Sequence, residues 1–365
     1  MAIRFVLPDD GADCVGFAYS PLLETVLSLH VLVEPKHHPL QHPWVRRMRR
    51  LPPELKRSIS ELGFVFARLV PDLFGPPPDA PFRTFEEEVA ILRALDDTTI
   101  ALELLRPLYD HEGKRDARLL RRPAVRRHVR AVVGSGAGSI ELAELIFDDP
   151  RRLLDRLADL LERYWAEAFA DEWELLEPQL AETVAEAGAT IASEGVFALL
   201  ESLPRRLRID RGRGEFGLDI PHEHRVDVTP ERRLLFVPSG FVWPHVLVSC
   251  DEPWPLSLTY PAPFVARAAR PQLPSAELLG VLKAVGDDTR LRALRLIAER
   301  PRSTQELAPL VGISEAGLSK HLRQLAQAGL VASRRDGYYV LYSLVQERIE
   351  PLSGALLSFL GRSAG

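Results

Sequence analysis

Apolar residues recur at helical spacing through most of the first 203 residues of the chain. Ser20-Pro21 is typical of a helix start, with serine as the cap and proline at the first helical position. The next residues, 22–33, are apolar around most of the helix circumference, which predicts a buried helix. Further helices are predicted over residues 53–69, 85–108, 117–133, 139–147 and 150–203. These patterns predict a helix-rich N-terminal domain over residues 1–203.

Near Pro204 the apolar pattern changes to short runs at strand spacing, separated by Gly and Pro. The runs cover residues 206–210, 216–220, 225–228, 234–237, 246–249 and 256–260. They predict a small antiparallel sheet over residues 204–262 that packs on the helical domain. Residues 263–274 are the predicted linker to a last domain, 275–365.

The last domain has the signals of two short helices around a tight turn. Ser303 followed three residues later by Glu306 is a capping box, which marks a helix start. Gly312 suits the turn, and Ser314 can cap the second helix. Gly329 is placed to end that helix in a Schellman-type motif. In this order the signals predict a helix-turn-helix.

The second of these helices has two different faces. At about 100° per residue, Leu318, Leu322 and Leu325 fall on one side and are expected to pack inward. Small, polar and basic residues on the other side suit insertion into a DNA major groove, where Lys and Arg can meet guanine or phosphate and Gln can meet adenine. The predicted DNA-contacting residues of the two helices are Thr304, Ser314, Ala316, Ser319, Lys320, His321, Arg323, Gln324 and Gln327.

A hairpin is predicted after the second helix. Residues 331–335 and 338–344 are strand-like, and Asp336-Gly337 between them is typical of a type I′ turn. Arg334 and Arg335 lie beside the predicted tip, where they can meet phosphates or the minor groove. The alternative is a solvated amphipathic helix followed by an ordinary hairpin.

These segments resemble the winged helix-turn-helix of the ArsR/SmtB family of transcriptional regulators. Residues 286–294 (GDDTRLRAL) are similar to the start of that family's first long helix, and residues 318–325 (LSKHLRQL) with 328–331 (AGLV) to its recognition helix. The resemblance covers about 90 of the 365 residues. It implies a dimeric, DNA-binding and usually repressing protein. A C-terminal helix is predicted over 346–360, and its apolar stripe is expected either to pair with its twin in the dimer or to cover its own domain. Many founding members sense metals through cysteines in the helix before the turn, where residues 305–310 here contain none.

Composition is ordinary for a globular protein, with 46% apolar and 27% charged residues. The two cysteines, Cys14 and Cys250, exclude a disulfide framework and favour a reducing, cytoplasmic location. We expect no membrane association, because no apolar run approaches the length of a membrane span. Residues 274–365 carry 12 Lys and Arg against 9 Asp and Glu, whereas the whole chain has a net charge of −5. This distribution places nucleic-acid contact in the C-terminal part.

The N-terminal part offers a candidate effector pocket. Phe241, Trp243, Trp254 and Tyr260 are aromatic residues near the predicted sheet, and ligand pockets are commonly aromatic-lined cavities. A conventional aromatic core is the alternative.

Histidines at 37, 38 and 42, and at 222 and 224, lie in predicted loops without a cysteine or a clear third ligand. We therefore expect them to be solvated, and we predict no metal site and no cofactor.

The sequence favours a mainly α protein with small β elements, an α+β fold that ends in a winged helix-turn-helix. The predicted function is a homodimeric ArsR-like transcriptional repressor that binds double-stranded DNA. Its N-terminal domain is expected to sense a small-molecule effector. No motif for catalysis is present, so no catalytic residue is predicted. Two alternatives stay open for the N-terminal domain: a protein-interaction or oligomerisation module without an effector, and an enzyme fused to a DNA-binding tail.

Overall fold

The chain divides into two compact units, Met1–Arg270 and Pro271–Gly365. The structure is a computed structural model, and it describes residues 3–8, 11–77, 82–109, 116–134, 137–203, 207–218, 224–265 and 276–349, with residues 352, 356 and 359. Most of the predicted linker, 263–274, lies outside the described residues. The predicted division into 1–203, 204–262 and 275–365 stays a prediction.

The first unit is mainly helical, as the apolar periodicity predicts. A π-helical turn, Trp165–Phe169, joins its two longest helices. The helices are α1 (Pro21–Val33), α2 (His42–Met48), α3 (Pro53–Leu62), α4 (Phe85–Arg93), α5 (Asp97–Leu105), α6 (Pro123–Val133), α7 (Ala137–Asp148), α8 (Pro150–Tyr164), α9 (Ala170–Glu194) and α10 (Val196–Ser202).

Helix α1 is the buried helix of this unit. The Ser20 hydroxyl oxygen accepts a hydrogen bond from the Leu23 backbone N–H at 2.9 Å, and Pro21 occupies the first helical position. Both features confirm the predicted helix start. Val26 and Leu29 are fully buried in the main hydrophobic core, so α1 is held by apolar burial as well as by its cap.

Glu88 of α4 is buried at the beginning of α1. Its carboxylate accepts hydrogen bonds from the Ser20 hydroxyl at 2.8 Å and from the Leu22 backbone N–H at 2.9 Å. Because the side chain is only 3% exposed, burial raises the pKa of Glu88 to about 7. From sequence, Glu88 belongs to an acidic cluster at the start of α4, and its role in capping a second helix is a finding of the structure.

The strands of the first unit form two four-stranded sheets, one in the order β3-β4-β1-β5 and the other in the order β2-β6-β8-β7. The strands are β1 (Ile3–Val6), β2 (Val15–Phe17), β3 (Leu207–Asp210), β4 (Glu215–Leu218), β5 (His224–Asp227), β6 (Leu234–Ser239), β7 (Leu247–Ser249) and β8 (Ser257–Pro261).

The prediction of one antiparallel sheet is wrong in the number of sheets and in the direction of the strands. Both sheets are mixed. In the first, β1 pairs parallel with β5 and antiparallel with β4. In the second, β6 pairs parallel with β2 and β8, whereas β7 pairs antiparallel with β8. Spacing and turn residues identify a strand but do not carry its direction or its partner. Here β1 and β2 come from the beginning of the chain, about 200 residues before the strands that flank them.

His38 also departs from the prediction of solvated loop histidines. It is 1% exposed, and its ring Nδ1 lies 2.8 Å from the carbonyl oxygen of Trp243. Burial lowers the pKa of His38 to about 4, so the imidazole is neutral at physiological pH. His37 and His42 are exposed as expected, and His222 lies outside the described residues.

The second unit contains α11 (Ala276–Val285), α12 (Asp288–Glu299), β9 (Arg302–Ser303), α13 (Thr304–Val311), α14 (Glu315–Gln327), β10 (Val331–Asp336) and β11 (Tyr339–Leu344). The strands form a three-stranded sheet in the order β10-β11-β9. This is a winged helix-turn-helix with its own hydrophobic core, as predicted. Of the predicted C-terminal helix, Leu352, Leu356 and Phe359 are helical, and most of the remainder lies outside the described residues.

No helix in the described part of the chain is both long and apolar enough to cross a bilayer.

Candidate nucleic-acid interface and ligand cavity

Local hydrogen bonds build the helix-turn-helix as the sequence predicts. The Ser303 hydroxyl accepts from the Glu306 backbone N–H at 3.2 Å, and the Glu306 carboxylate accepts from the Ser303 backbone N–H at 2.8 Å. Gly312 ends α13 with φ at +81°, a left-handed conformation that glycine adopts without strain. The Ser314 hydroxyl then accepts from the Gly317 backbone N–H at 3.2 Å and starts α14.

A Schellman motif ends α14. The Leu330 N–H donates to the Leu325 carbonyl at 3.0 Å, and the Gly329 N–H donates to the Ala326 carbonyl at 3.0 Å. Gly329 has φ at +73°, and Leu330 is fully buried. The helix therefore begins and ends at the residues that the sequence indicates.

The buried face of α14 is apolar and its exposed face is polar and basic. Leu318, Leu322 and Leu325 are each 0% exposed, as predicted. The predicted interface residues are exposed at Ser314, Ala316, Lys320, Arg323, Gln324, Gln327, Arg334 and Arg335, and half-buried at Thr304, Ser319 and His321. The folding of α14 on its three leucines thus leaves a continuous polar surface on the opposite side.

Arg290 of α12 connects three elements of this unit. Its guanidinium donates to the carbonyls of Ala284 at 2.5 Å and Lys283 at 2.9 Å at the end of α11. It also donates to the Gln324 side-chain oxygen on α14, at 2.6 Å. The carbonyl of Gln324 is therefore engaged within the protein, and its amide N–H₂ is the group left to meet a base. From sequence Arg290 is part of the 286–294 resemblance, but its contact with Gln324 needs the fold.

His321 faces Asp287, the cap of α12. The distance from its Nδ1 to the Asp287 carboxylate is 3.6 Å, and the His321 side chain is 28% exposed. A hydrogen bond from the Arg290 backbone N–H lowers the pKa of Asp287, which keeps this carboxylate charged beside the imidazole. His321 is thus oriented toward its own unit more than Lys320 or Arg323.

The hairpin turn lies one residue later than predicted. Asp336 pairs with Tyr339 in the β10–β11 ladder, so the two loop residues are Gly337 and Tyr338. Gly337 has φ at +58°, and a two-residue hairpin loop needs a positive φ at its first position, which glycine supplies. Tyr338 is 87% exposed at the tip, an aromatic group that the sequence analysis does not single out.

The exposed surface has the chemistry that a DNA duplex requires. Lys320 and Arg323 point away from the core on α14, and Arg334 and Arg335 lie on the hairpin strand that follows it. Guanidinium and ammonium groups can bind phosphate or the guanine acceptors of the major groove.

Comparison with known proteins agrees with this geometry. Residues 287–333 match the family described as bacterial regulatory protein, arsR family. An uncharacterized HTH-type transcriptional regulator of Mycobacterium tuberculosis is 38% identical over 81 residues, which are 22% of this chain and 71% of that protein. The chain belongs to the ArsR family. Its residues 1–266 belong in addition to a family of unknown function, DUF5937.

Other relatives of this ArsR-family chain match over a shorter share of their length. The HTH-type transcriptional regulator KmtR of Mycobacterium tuberculosis is 39% identical over 72 residues, 20% of this chain and 55% of the relative. The probable mercury resistance operon repressor of Streptomyces lividans is 37% identical over 70 residues, 19% of this chain and 56% of the relative. The chain thus spans a little over half the length of these two proteins.

In the DUF5937 region, the four aromatic residues of the predicted effector pocket do not share one cavity. Phe241 is 6% exposed and packs against Trp44 and Phe169 in the main core. Tyr260 is 1% exposed and lies in a second hydrophobic cluster, with Phe236 and Leu258. Trp243 is half-buried, and its carbonyl lies beside His38. Only Trp254 of the four lines a cavity among the described residues of this unit.

That cavity has a volume of about 560 Å³ and lies on the face of β8 that is opposite Tyr260. Ser257 and Thr259 line it, whereas Leu258 and Tyr260 lie in the core behind them. Successive side chains of a strand point to opposite faces, so Tyr260 cannot reach the side that Thr259 occupies. An aromatic residue near a strand is therefore a weak signal for a pocket until it is known which face of the strand lines the cavity.

Proposed function

We propose that this ArsR-family protein is a transcriptional repressor that binds double-stranded DNA as a homodimer. The observation that carries the proposal is the exposed face of α14. Lys320 and Arg323 lie on it, and neither forms an ion pair with a described residue, so their charges are available to a duplex. No catalytic residue is assigned.

The proposed DNA contacts are the exposed or half-buried residues of the helix-turn-helix and the hairpin arginines. A two-fold dimer would present two copies of α14 to successive major grooves, roughly 34 Å apart along the duplex. Lys320, Arg323 and Gln327 would then meet bases or phosphates, while Arg334 and Arg335 would bind the backbone or the minor groove. Contacts of this kind position the protein and specify its operator.

The repressing role is supported by the family resemblance and by the Streptomyces lividans relative, whose name describes an operon repressor. We further propose that the DUF5937 region senses a small-molecule effector and thereby changes operator affinity. The cavity beside Trp254 supports a sensor over a simple oligomerisation module, because a cavity of about 560 Å³ is within the usual range for small-molecule sites. A regulator of chromosomal promoters would act in the cytoplasm.

Selection from random duplexes with the full-length protein, followed by footprinting, tests this function. We expect a selected sequence with two half-sites related by two-fold symmetry, protected about one helical turn apart. Sedimentation of the protein–DNA complex should give two chains per duplex. Recovery of no enriched sequence, or of a single half-site bound by one chain, would contradict the proposal.

The remaining alternatives for the DUF5937 region predict different results in a binding assay on that selected duplex. A sensor changes operator affinity when a small molecule is added, and an interaction module changes it only when a second protein is added. An enzyme domain would instead consume a substrate without any requirement for DNA.

A further inference from the structure

The cavity beside Trp254 is mostly apolar, and its lining contains two carboxylates and two guanidiniums. Val70, Leu108, Leu247 and Val248 contribute to its walls, together with Trp254. At the polar side lie Arg106, Asp72 and Asp251, with side chains 22%, 11% and 22% exposed. Two carboxylates therefore face one guanidinium in a largely buried position.

The two carboxylates are not equivalent. Asp72 forms a close ion pair with Arg106, whereas the nearest Asp251 oxygen is 3.5 Å from that guanidinium, beyond an ordinary hydrogen bond. Arg68 and His128, the other charged or titratable lining residues, are exposed, so solvent screens their charge. Asp251 is thus the anion of the cavity with the weakest internal pairing.

The neighbouring thiol supports a negative potential at this side of the cavity. Burial, followed by the charges of Asp251 and Asp72, raises the pKa of Cys250 to about 11, although Arg106 and Arg232 act in the opposite direction. Ser249, which also lines the cavity, has a buried hydroxyl without a hydrogen-bond partner among the described residues. An ammonium group could pair with the carboxylate and donate to this hydroxyl, whereas a quaternary onium group could pair with the carboxylate alone.

We propose that this cavity binds an organic cation, such as an amine or quaternary onium compound with an apolar body. The charge would lie against Asp251, and the apolar body would lie against Trp254 and the aliphatic walls, where a cation also gains from the indole face. A metal ion fits less well, because no group of three metal-ligating side chains occurs among the described residues. The role of the cation as effector rests on the proposed function, whereas its binding to the cavity does not.

Isothermal titration of the full-length protein with two ions of equal shape and opposite charge tests the inference. Tetraphenylphosphonium should bind, and tetraphenylborate should bind at least roughly tenfold more weakly because Asp251 repels it. Asp251→Asn removes the charge without changing the shape and leaves Arg106 paired with Asp72. It should weaken tetraphenylphosphonium binding by roughly tenfold. Glu174→Gln, an exposed site on α9 outside the cavity lining, makes the same charge change and should leave binding unaltered.

A second variant, Trp254→Leu, keeps an apolar wall but removes the aromatic face, and it should weaken tetraphenylphosphonium several-fold. Tryptophan fluorescence melting checks that each variant is folded, and Trp254→Leu decides the question if Asp251→Asn does not fold. The inference is overturned if tetraphenylphosphonium does not bind, if tetraphenylborate binds equally, or if Glu174→Gln weakens binding as much as Asp251→Asn.

Operator binding by the same preparations separates this inference from the proposed function. If tetraphenylphosphonium does not bind as predicted while operator binding is intact, the cavity assignment alone is overturned. Cation binding as predicted, with operator affinity unchanged at saturation, would support the site and contradict the sensor role.

Discussion

Replacement of Arg290 tests how the helix-turn-helix is held in place. Arg290→Met keeps the apolar stem of the side chain and removes its donors. The guanidinium makes three hydrogen bonds, to Lys283, Ala284 and Gln324, and its side chain is only 13% exposed. A hydrogen bond to a charged group contributes about 1.5–3 kcal/mol, and water can replace part of each lost contact, so we expect a net cost of about 2–4 kcal/mol.

Amide hydrogen exchange of the full-length protein measures this cost locally, which matters because a protein with two units need not unfold in one transition. In Arg290→Met, amides of α12 and α14 should exchange roughly 30- to 1,000-fold faster. Arg292→Met is the matched control, because Arg292 pairs with Asp288 at 2.6 Å but is 62% exposed. An exposed pair of this kind contributes at most about 1 kcal/mol. Equal effects of the two substitutions would refute the role given to Arg290.

Three further predictions concern the core, the buried acid and the wing. Leu322→Ala, at a position that is 0% exposed, should cost about 2–5 kcal/mol in the stability of the second unit, measured by amide exchange. Glu88 has its pKa raised from 4.5 to about 7, so the protonated form stabilises the folded state fully below pH 4.5, and this stabilisation is lost as the pH rises to about 7. Glu88→Gln should therefore flatten the decline of melting temperature over that pH interval. Tryptophan fluorescence reports this melting, because all 5 tryptophans lie in the first unit. An unchanged dependence of melting temperature on pH would contradict the assignment. Arg334→Ala should weaken binding to operator and scrambled duplexes alike and lower the slope of log affinity against log salt by about 1, and a loss confined to the operator would contradict a backbone contact.

The second unit follows closely from the sequence because its determinants are local. Ser303 and Glu306 cap α13 by contacts three residues apart, and Gly312 and Gly329 end helices through their own backbone angles. The leucine face of α14 follows from the period of the helix. In contrast, the hairpin turn is displaced by one residue, because both Asp336-Gly337 and Gly337-Tyr338 satisfy the local turn preference.

The first unit is less predictable because its determinants are distant in the chain. The parallel partner of β1 is β5, more than 200 residues later, and no local pattern encodes that pairing. The same holds for the cavity, whose charged side joins Asp72, Arg106 and Asp251 from three separate segments. Trp254 is the one predicted pocket residue that lines it. Tyr260 does not, because the side of β8 that faces the cavity carries Thr259, and Tyr260 points into the core.

The affinity of the selected operator for alanine variants of α14 tests the central claim most directly. Fluorescence anisotropy would compare Lys320→Ala and Arg323→Ala with Arg295→Ala, a charge-matched substitution at an exposed position of α12. We expect each α14 substitution to cost about 1–3 kcal/mol on the operator and the Arg295 control to stay within about 0.5 kcal/mol. Wild-type operator affinity in both Lys320→Ala and Arg323→Ala would show that the exposed face of α14 does not read DNA.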